Sequence, residues 1–232
     1  MSRPSSASAA AALCLCLCLC LTRRVPRSDI SPNESHHVAS AFAVMFERHN
    51  FVAHLPPAHV RLFRGRVIDL VLATDIAHHF SVVQAVRARD PSDMTTSDVP
   101  LILKVTMKTA DLAHTFMDWE DHCLWSKMLQ KELFDEGDLH RTRLGAQPPT
   151  IMDREACARG HTFESAQAGF FHYIVIPLLE ALATFLPGSG AVLARAKANS
   201  ALWETTAFRK TRSGRIEVAV APDGNPGPVE IV

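Results

Sequence analysis

Apolar residues recur every three or four positions along most of the chain after Pro32, which is the spacing of one face of an α-helix. This pattern predicts helices at 34–49, 59–79, 101–114, 118–136, 166–186 and 191–208. Only "RIEVAV", residues 215–220, alternates in the manner of a β-strand. The predicted fold class is therefore all-α, with a body of about six or seven helices.

Polar and low-complexity segments divide this helical body. A polar loop is expected at 87–100, a long irregular connection at 139–165, and a flexible Pro/Gly-rich tail at 211–232. Residues 1–30 contain "ALCLCLCLCL" and form a low-complexity or targeting-like segment. Its apolar stretch, residues 9–21, is short for a membrane-spanning helix. A targeting segment and a poorly defined start of the chain both fit this pattern.

Composition narrows the function classes. The 232 residues hold 24 basic and 24 acidic side chains and no long basic run, so nucleic-acid binding is not expected. Twelve histidines are compatible with metal or acid–base chemistry. Cys123 and Cys157 lack the spacing of a zinc site, and we expect free, unreactive thiols in a cytoplasmic protein.

Asp111 is the first candidate functional residue, because it interrupts an apolar stripe. It follows Leu103 and Met107 at helical spacing, and His114 comes three residues later. If this stripe faces a core, the carboxylate needs a cation, a hydrogen-bond donor or a metal ion there.

Two further polar clusters lie within apolar helical patterns. They are Thr74, Asp75, His78 and His79 in "ATDIAHHF", and Glu34, His36 and His37 in "ESHH". Asp75 and His79 are four residues apart and would share a face of a continuous helix. The three clusters fit one shared polar site or three separate buried hydrogen-bond networks, and spacing alone favours the separate networks.

Gln167 begins the most apolar helix, with Phe170 one turn further on. The amide of a glutamine can donate to and accept from a planar heterocycle, and a phenyl ring can stack on that heterocycle. Taken alone, the same residues fit a helix-start amide beside core aromatics.

Six segments in a fixed order resemble a known family. They are "ESHHVASAF", "VIDLVLATDIAHHF", "LILKVTMKTADLAH", "WSKMLQKELFDEGD", "MDRE" and "SAQAGFFHYIVIPLLEAL". Together they resemble the catalytic domain of the class I 3′,5′-cyclic-nucleotide phosphodiesterases over about residues 32–203. The resemblance implies an HD-type metallohydrolase fold that holds Zn²⁺ with Mg²⁺ or Mn²⁺ and hydrolyses cAMP or cGMP to the 5′-monophosphate.

The resemblance implies metal-site roles for three residues. Asp111 matches a direct metal ligand, Glu34 matches a glutamate that orders water around the second metal, and Thr74 matches a further residue of that outer layer. Two metal ions bridged by hydroxide provide a nucleophile at neutral pH and neutralise phosphate charge.

The resemblance also implies nucleotide contacts. Gln167 matches the purine-binding glutamine, and Phe170 matches the aromatic residue that clamps the base. His114 stands where many members carry asparagine, and it is expected to contact the nucleotide.

Two family motifs, H-N-x-x-H and H-D-x-x-H, are expected before "ESHH" and are absent there. They supply the acid histidine and most metal ligands, so no catalytic residue is assigned. Residues 31–210 are therefore expected to be a partial catalytic domain, incomplete at its N-terminus. The alternative is a non-catalytic helical module that binds a nucleotide or a partner.

The expected partner is a cyclic nucleotide, and the resemblance also allows a homodimer. The expected location is cytoplasmic. Membrane attachment through residues 9–21 is left open by the sequence.

Overall fold

A computed structural model describes residues 30–160, 162–205, 207–210 and 216–219. Within these residues nine α-helices and one short hairpin form, which confirms the all-α prediction. The helices are α1 (Pro32–Arg48), α2 (Pro57–Leu72), α3 (His79–Arg87), α4 (Val99–Asp111), α5 (Trp119–Leu144), α6 (Arg154–Gly160), α7 (Thr162–Phe170), α8 (Ile176–Phe185) and α9 (Gly190–Thr205). The low-complexity segment and most of the predicted tail lie outside the described residues.

The described chain forms two compact units. The N-terminal unit holds the described residues up to Leu112 together with Ala181–Pro187. The C-terminal unit holds Ala113–Glu180 and the described residues from Gly188 onward. Helix α8 therefore contributes residues to both units.

In the N-terminal unit, α1 packs on α2, and α4 packs on α2 and α3. The buried apolar residues of these helices are Val38, Phe42, Val83, Val86 and Val105. Helix α1 begins with Pro32, a residue whose fixed φ suits the first helical position. The helices predicted at 34–49 and 101–114 are therefore confirmed, with ends shifted by a few residues.

The continuous helix predicted at 59–79 is wrong. Helix α2 ends at Leu72, and a 3₁₀ turn at Ile76–His78 separates it from α3. The Asp75 side chain accepts a hydrogen bond of 2.8 Å from the Ala77 amide and so caps this turn. Because the helix breaks here, Asp75 and His79 do not share a helical face.

The prediction that the Asp111 stripe faces a core is also wrong. Leu103 and Met107 are 44% and 37% exposed, and Asp111 lies on the same exposed side. The buried residues of α4 are Val105, Lys108 and Thr109. Lys108 is held inward by hydrogen bonds to backbone carbonyls, which fixes the rotation of the helix. The helix ends at Asp111, so His114, in the 3₁₀ turn Ala113–Phe116, leaves the stripe.

Helix α5 dominates the C-terminal unit and corrects two further predictions. It was expected to end at Gly137, yet it continues to Leu144 and ends at Gly145, whose φ of 61° suits glycine. Gly137 is buried within the helix, and a Cβ atom there would lie 2.1 Å from the Met152 carbonyl oxygen. This glycine thus serves close packing rather than helix termination. The connection predicted at 139–165 is partly helical, because α6 lies within it.

The apolar helix predicted at 166–186 is confirmed with one irregular turn, but helical structure already begins at Thr162. Gln167, expected at the start of the helix, therefore lies within α7. Between α7 and α8 the backbone widens into a π-helical turn, Phe171–Val175. Among the described residues, only Ala166–Phe185 is long and apolar enough to cross a membrane by length and composition. Its buried residues include Phe171, Ile174, Val175, Leu178, Leu179 and Leu182, as in the core helix of a folded domain.

The predicted strand is confirmed, and it pairs with a segment expected to be helical. Strand β1 (Ala207–Lys210) pairs antiparallel with β2 (Ile216–Ala219), with Ala207 opposite Ala219. The helix predicted to reach residue 208 ends at Thr205 instead. Strand pairing therefore replaces the last predicted turn of that helix.

Candidate functional site

Two acidic side chains of the N-terminal unit, Asp111 and Glu34, lie close enough to interact electrostatically. Asp111 ends α4, and Glu34 lies in the first turn of α1. Burial raises the pKa of both carboxyls, and the charges of Asp75 and, less strongly, Asp111 raise the pKa of Glu34 further. The charge of His37 acts in the opposite direction on both groups. Asp111 keeps much of its surface exposed, so its carboxylate remains accessible.

A buried lysine, Lys108, interacts electrostatically with Asp111 and binds the backbone of the turn at residues 73–75. The Lys108 ammonium donates to the carbonyl oxygens of Ala73, Thr74 and Asp75 at 2.8, 3.2 and 3.0 Å. It is 1% exposed. Ser31 donates to the Asp75 carboxylate at 2.6 Å, which ties the start of α1 to the same turn. The turn that carries Thr74 is therefore fixed from two sides.

One acidic residue from each of the three polar clusters, together with His37, takes part in a single set of electrostatic interactions in the N-terminal unit. Glu34 interacts electrostatically with Asp75 and Asp111, and Asp111 interacts with Lys108 and His37. Glu34, Asp75 and Asp111 therefore share one polar region, whereas His114 lies in the C-terminal unit. Thr74 uses its hydroxyl to donate to the Val71 carbonyl at 2.8 Å, so this hydroxyl is engaged with the backbone.

The donors of this region do not by themselves fit a metal centre. Across the residues that the structure describes, no three His, Cys, Asp or Glu side chains lie close enough to hold an ion. Asp111 is one exposed carboxylate beside a second acid, and a divalent ion needs several ligands for tight binding. The described residues therefore supply a fragment of a metal site.

Gln167 lies in the C-terminal unit, near the end of α7. It is 5% exposed, and within the described part of the chain its Oε1 atom has no hydrogen-bond partner. A buried carbonyl oxygen without a donor costs about 1–3 kcal/mol, so this atom is poised to accept a bond from a bound group. Phe170 lies one turn further on, half-buried, at the start of the π-helical turn.

His114 belongs to a hydrogen-bonded chain that also contains His122 and Trp203. The Trp203 indole N–H donates to Nε2 of His122 at 2.7 Å. The proton of neutral His122 must then sit on Nδ1, which is 3.0 Å from the His114 carbonyl oxygen and 3.2 Å from the His114 Nδ1 atom. Burial lowers the pKa of His122 to about 4, and it also lowers the pKa of His114. Both rings are therefore neutral near pH 7.

The sequence pattern did not single out His122 or Trp203 as site residues. Trp119 packs against both, with ring centroids 5.7 Å from His122 and 5.3 Å from Trp203. Asn199 donates to the carbonyl oxygens of Thr115 and Met117 at 2.9 and 3.0 Å, which fixes the turn that carries His114. The sequence offered only one indication of His122: this histidine follows Trp119 by three residues and so shares a helical face with it. The structure shows that this face of α5 is buried.

Both cysteines of the helical body are free thiols, as predicted. Burial raises the pKa of Cys123 to about 12, and burial also raises the pKa of Cys157. A thiol with a raised pKa carries little thiolate at neutral pH and is a poor nucleophile.

The predicted site residues divide between the two units. Glu34, Thr74 and Asp111 lie in the N-terminal unit, and His114, Gln167 and Phe170 lie in the C-terminal unit. The first group is an acidic region, and the second consists of a buried amide, a phenyl ring and an imidazole ring.

Comparison with known proteins identifies relatives of this chain. It is 25% identical over 192 residues to the dual 3′,5′-cyclic-AMP and -GMP phosphodiesterase beta of Plasmodium falciparum, covering 77% of this chain and 16% of that protein. It is 30% identical over 164 residues to the cGMP-specific 3′,5′-cyclic phosphodiesterase gamma of Plasmodium yoelii, covering 69% of this chain and 20% of that protein. The chain therefore spans about a fifth or less of the length of these two relatives.

A solved structure has the same fold. The phosphodiesterase domain of Salpingoeca rosetta rhodopsin phosphodiesterase superimposes with a TM-score of 0.67 at 24% identity, covering 76% of this chain and 55% of that chain. The family model of 3′5′-cyclic nucleotide phosphodiesterases matches residues 25–196. This match includes both the acidic region and the buried amide, and the chain therefore belongs to the 3′,5′-cyclic nucleotide phosphodiesterase family.

Proposed function

We propose that this chain acts in the hydrolysis of 3′,5′-cyclic nucleotides, cAMP or cGMP, to 5′-monophosphates, in a cytoplasmic protein. The observation that carries the proposal is the buried Oε1 atom of Gln167, which has no donor in the described part of a chain of this family. Purine bases present N–H groups at the edge that such an oxygen would meet, and an amide can also donate from its nitrogen. Gln167 would therefore bind the base.

Two further residues of the C-terminal unit support the same assignment. Phe170 is half-buried and leaves part of its ring open for stacking on a purine. His114 is kept neutral by burial, so its ring would meet a nucleotide as a hydrogen-bonding group rather than as a cation. These three residues form the proposed nucleotide-binding set.

Asp111 is the proposed direct metal ligand, and Glu34 and Thr74 are proposed to support the water ligands around the ions. The ions would be Zn²⁺ and Mg²⁺ or Mn²⁺, which supply a bound hydroxide and neutralise phosphate charge. Because the described donors do not make up a metal centre, this assignment requires ligands beyond those residues. A ligand role for Asp111 is supported by its accessible carboxylate beside Glu34.

The test separates binding from turnover. Titration calorimetry with cAMP and cGMP should detect binding to this chain, and Gln167→Leu should weaken it by roughly tenfold or more. Gln84→Leu, an exposed amide in α3, is the matched control and should leave affinity unchanged. Equal affinity of Gln167→Leu and the unmodified chain would contradict the proposed base contact.

Hydrolysis is measured in the same samples with Mg²⁺ or Mn²⁺. Turnover that is lost in Asp111→Ala supports the phosphodiesterase activity and the ligand role of Asp111. Binding without turnover supports the second candidate function, a non-catalytic nucleotide-binding module. That candidate is favoured by one observation, the lack of a three-donor cluster among the described residues.

A further inference from the structure

His122 and Trp203 lie outside the proposed nucleotide-binding set, yet they are hydrogen-bonded to one of its members. The indole N–H of Trp203 donates to Nε2 of His122, which leaves the proton of the neutral His122 ring on Nδ1. This Nδ1 atom lies 3.2 Å from Nδ1 of His114 and 3.0 Å from the His114 carbonyl oxygen. The two imidazole rings are nearly parallel, at 18°, with centroids 5.2 Å apart. His122 therefore presents its one proton to the Nδ1 side of His114.

This contact determines which nitrogen of His114 carries a proton. If His114 were protonated on Nδ1, two N–H groups would point at each other across 3.2 Å with no acceptor between them. Because burial keeps the His114 ring neutral near pH 7, its single proton is held on Nε2. Within the described part of the chain, this nitrogen has no hydrogen-bond partner and the ring is only half-buried. His114 therefore offers a ligand a donor at Nε2 and no acceptor there.

The same pair of buried rings packs beside Gln167. Phe163, Gln167 and Phe171 follow one another at intervals of four residues and so lie on one side of the helical segment. The Phe163 ring is 6.2 Å from the Trp203 ring, and the Phe171 ring is 5.3 Å from the His122 ring. The hydrogen-bonded rings therefore lie on the side of this segment that carries the Gln167 amide, whose Oε1 atom lacks a donor within the described residues.

We propose that His122 is a positioning residue that holds His114 as an Nε2–H donor toward the base of a bound nucleotide. The base would then offer a ring acceptor to His114 and an N–H group to Oε1 of Gln167. His114 would not accept a bond from an exocyclic amino group, because its only accepting nitrogen faces His122. This role rests on the proposed nucleotide binding, and the tautomer that it requires is measurable without any nucleotide.

Ring ¹⁵N NMR of the full chain measures the tautomer of His114. We expect the proton on Nε2 in the unmodified chain and a mixture in His122→Leu, which removes the facing N–H. His122→Asn should restore the single tautomer, because its amide nitrogen can donate in place of Nδ1. Trp203→Phe should also give a mixture at His114, so the result does not depend on the folding of His122→Leu. A His114 proton on Nδ1, or the same tautomer in all four proteins, would overturn the proposal.

Titration calorimetry with cAMP and cGMP measures the consequence for binding. His122→Leu should weaken binding by about tenfold although the residue touches no nucleotide, and His122→Asn should bind close to the unmodified value. His59→Leu, which changes an exposed histidine of α2, is the matched control and should leave affinity unchanged. Equal affinity of His122→Leu and the unmodified chain would contradict the positioning role.

An analogue identifies the atom that His114 meets. Purine riboside 3′,5′-cyclic phosphate keeps the ring nitrogens of cAMP and lacks its amino group, so His114→Phe should weaken binding of both ligands by similar factors. If the effect of His114→Phe disappears with the analogue, His114 accepts from the amino group and the proposal is wrong. Absence of binding by the unmodified chain would overturn the proposed function and this role together, whereas binding with a His114 proton on Nδ1 would overturn this role alone.

Discussion

The indole N–H of Trp203 donates to Nε2 of His122 over 2.7 Å, and both residues are almost fully buried. This single bond determines the tautomer of His122, because Nε2 must be unprotonated to accept it. The remaining proton on Nδ1 points to the backbone and ring of His114. A tryptophan near the end of α9 therefore determines the hydrogen bonding of a proposed nucleotide-binding residue.

Trp203→Phe should allow His122 to adopt either tautomer. The variant keeps an aromatic ring but leaves Nε2 of His122 without its donor, which should lower the free energy of unfolding by about 1–3 kcal/mol. ¹⁵N NMR of the histidine rings should show an Nδ1–H tautomer for His122 in the unmodified chain and a mixture in the variant. Trp119→Phe, which changes a neighbouring ring, should retain the single tautomer. An unchanged spectrum in Trp203→Phe would contradict the assigned bond.

Acidification below neutral pH should destabilise the fold through His122. The unfolded imidazole titrates near its ordinary pKa of 6.5, whereas burial lowers the pKa in the folded protein to about 4. Between these values the unfolded chain binds a proton that the folded chain does not, so stability falls as the pH decreases from 6.5 to 4. The full loss is about 3 kcal/mol.

Urea unfolding across this pH range measures the effect. His122→Asn keeps an acceptor for Trp203 and does not titrate, so its stability should decrease less between pH 6.5 and 4. Parallel curves for the two proteins would show that another group is responsible.

Lys108→Met should destabilise the N-terminal unit. The substitution keeps most of the apolar chain but removes the donor for three carbonyl oxygens at 2.8–3.2 Å. We expect a loss of about 2–4 kcal/mol in the free energy of unfolding, measured by urea denaturation. Lys197→Met is the matched control, because its exposed pair with Glu180 contributes little to stability. Similar losses for the two variants would argue against the buried role of Lys108.

Gly137→Ala should destabilise the packing of α5 in the C-terminal unit. An added Cβ would lie 2.1 Å from a backbone carbonyl oxygen, so α5 or the Met152 segment must move. Overpacking of this kind costs about 1–3 kcal/mol or more. Gly65→Ala in α2 meets no atom within 4 Å and should instead stabilise by about 0.5–1 kcal/mol. Thermal unfolding of both variants is the measurement, and a neutral Gly137→Ala would contradict the close contact.

The sequence by itself determined the helical class, the apolar helix that carries Gln167 and Phe170, and the family. These follow from local periodicity and from ordered motifs, which survive without knowledge of packing. The sequence misplaced the ends of two helices. The turn that follows Leu72 is held by Ser31, which lies 44 residues before Asp75, and Gly137 lies inside α5 because it packs against Met152, 15 residues later.

Tertiary structure alone decided which side of α4 is buried. The apolar residues Leu103 and Met107 predicted a core-facing stripe, yet the ammonium group of Lys108 turns the other face inward by binding carbonyl oxygens more than thirty residues away. His122 became a site residue only because Trp203, 81 residues later, donates to it. Periodicity registers where apolar residues recur along one helix, whereas hydrogen-bond partners from other elements determine how that helix is rotated and which polar groups are buried together.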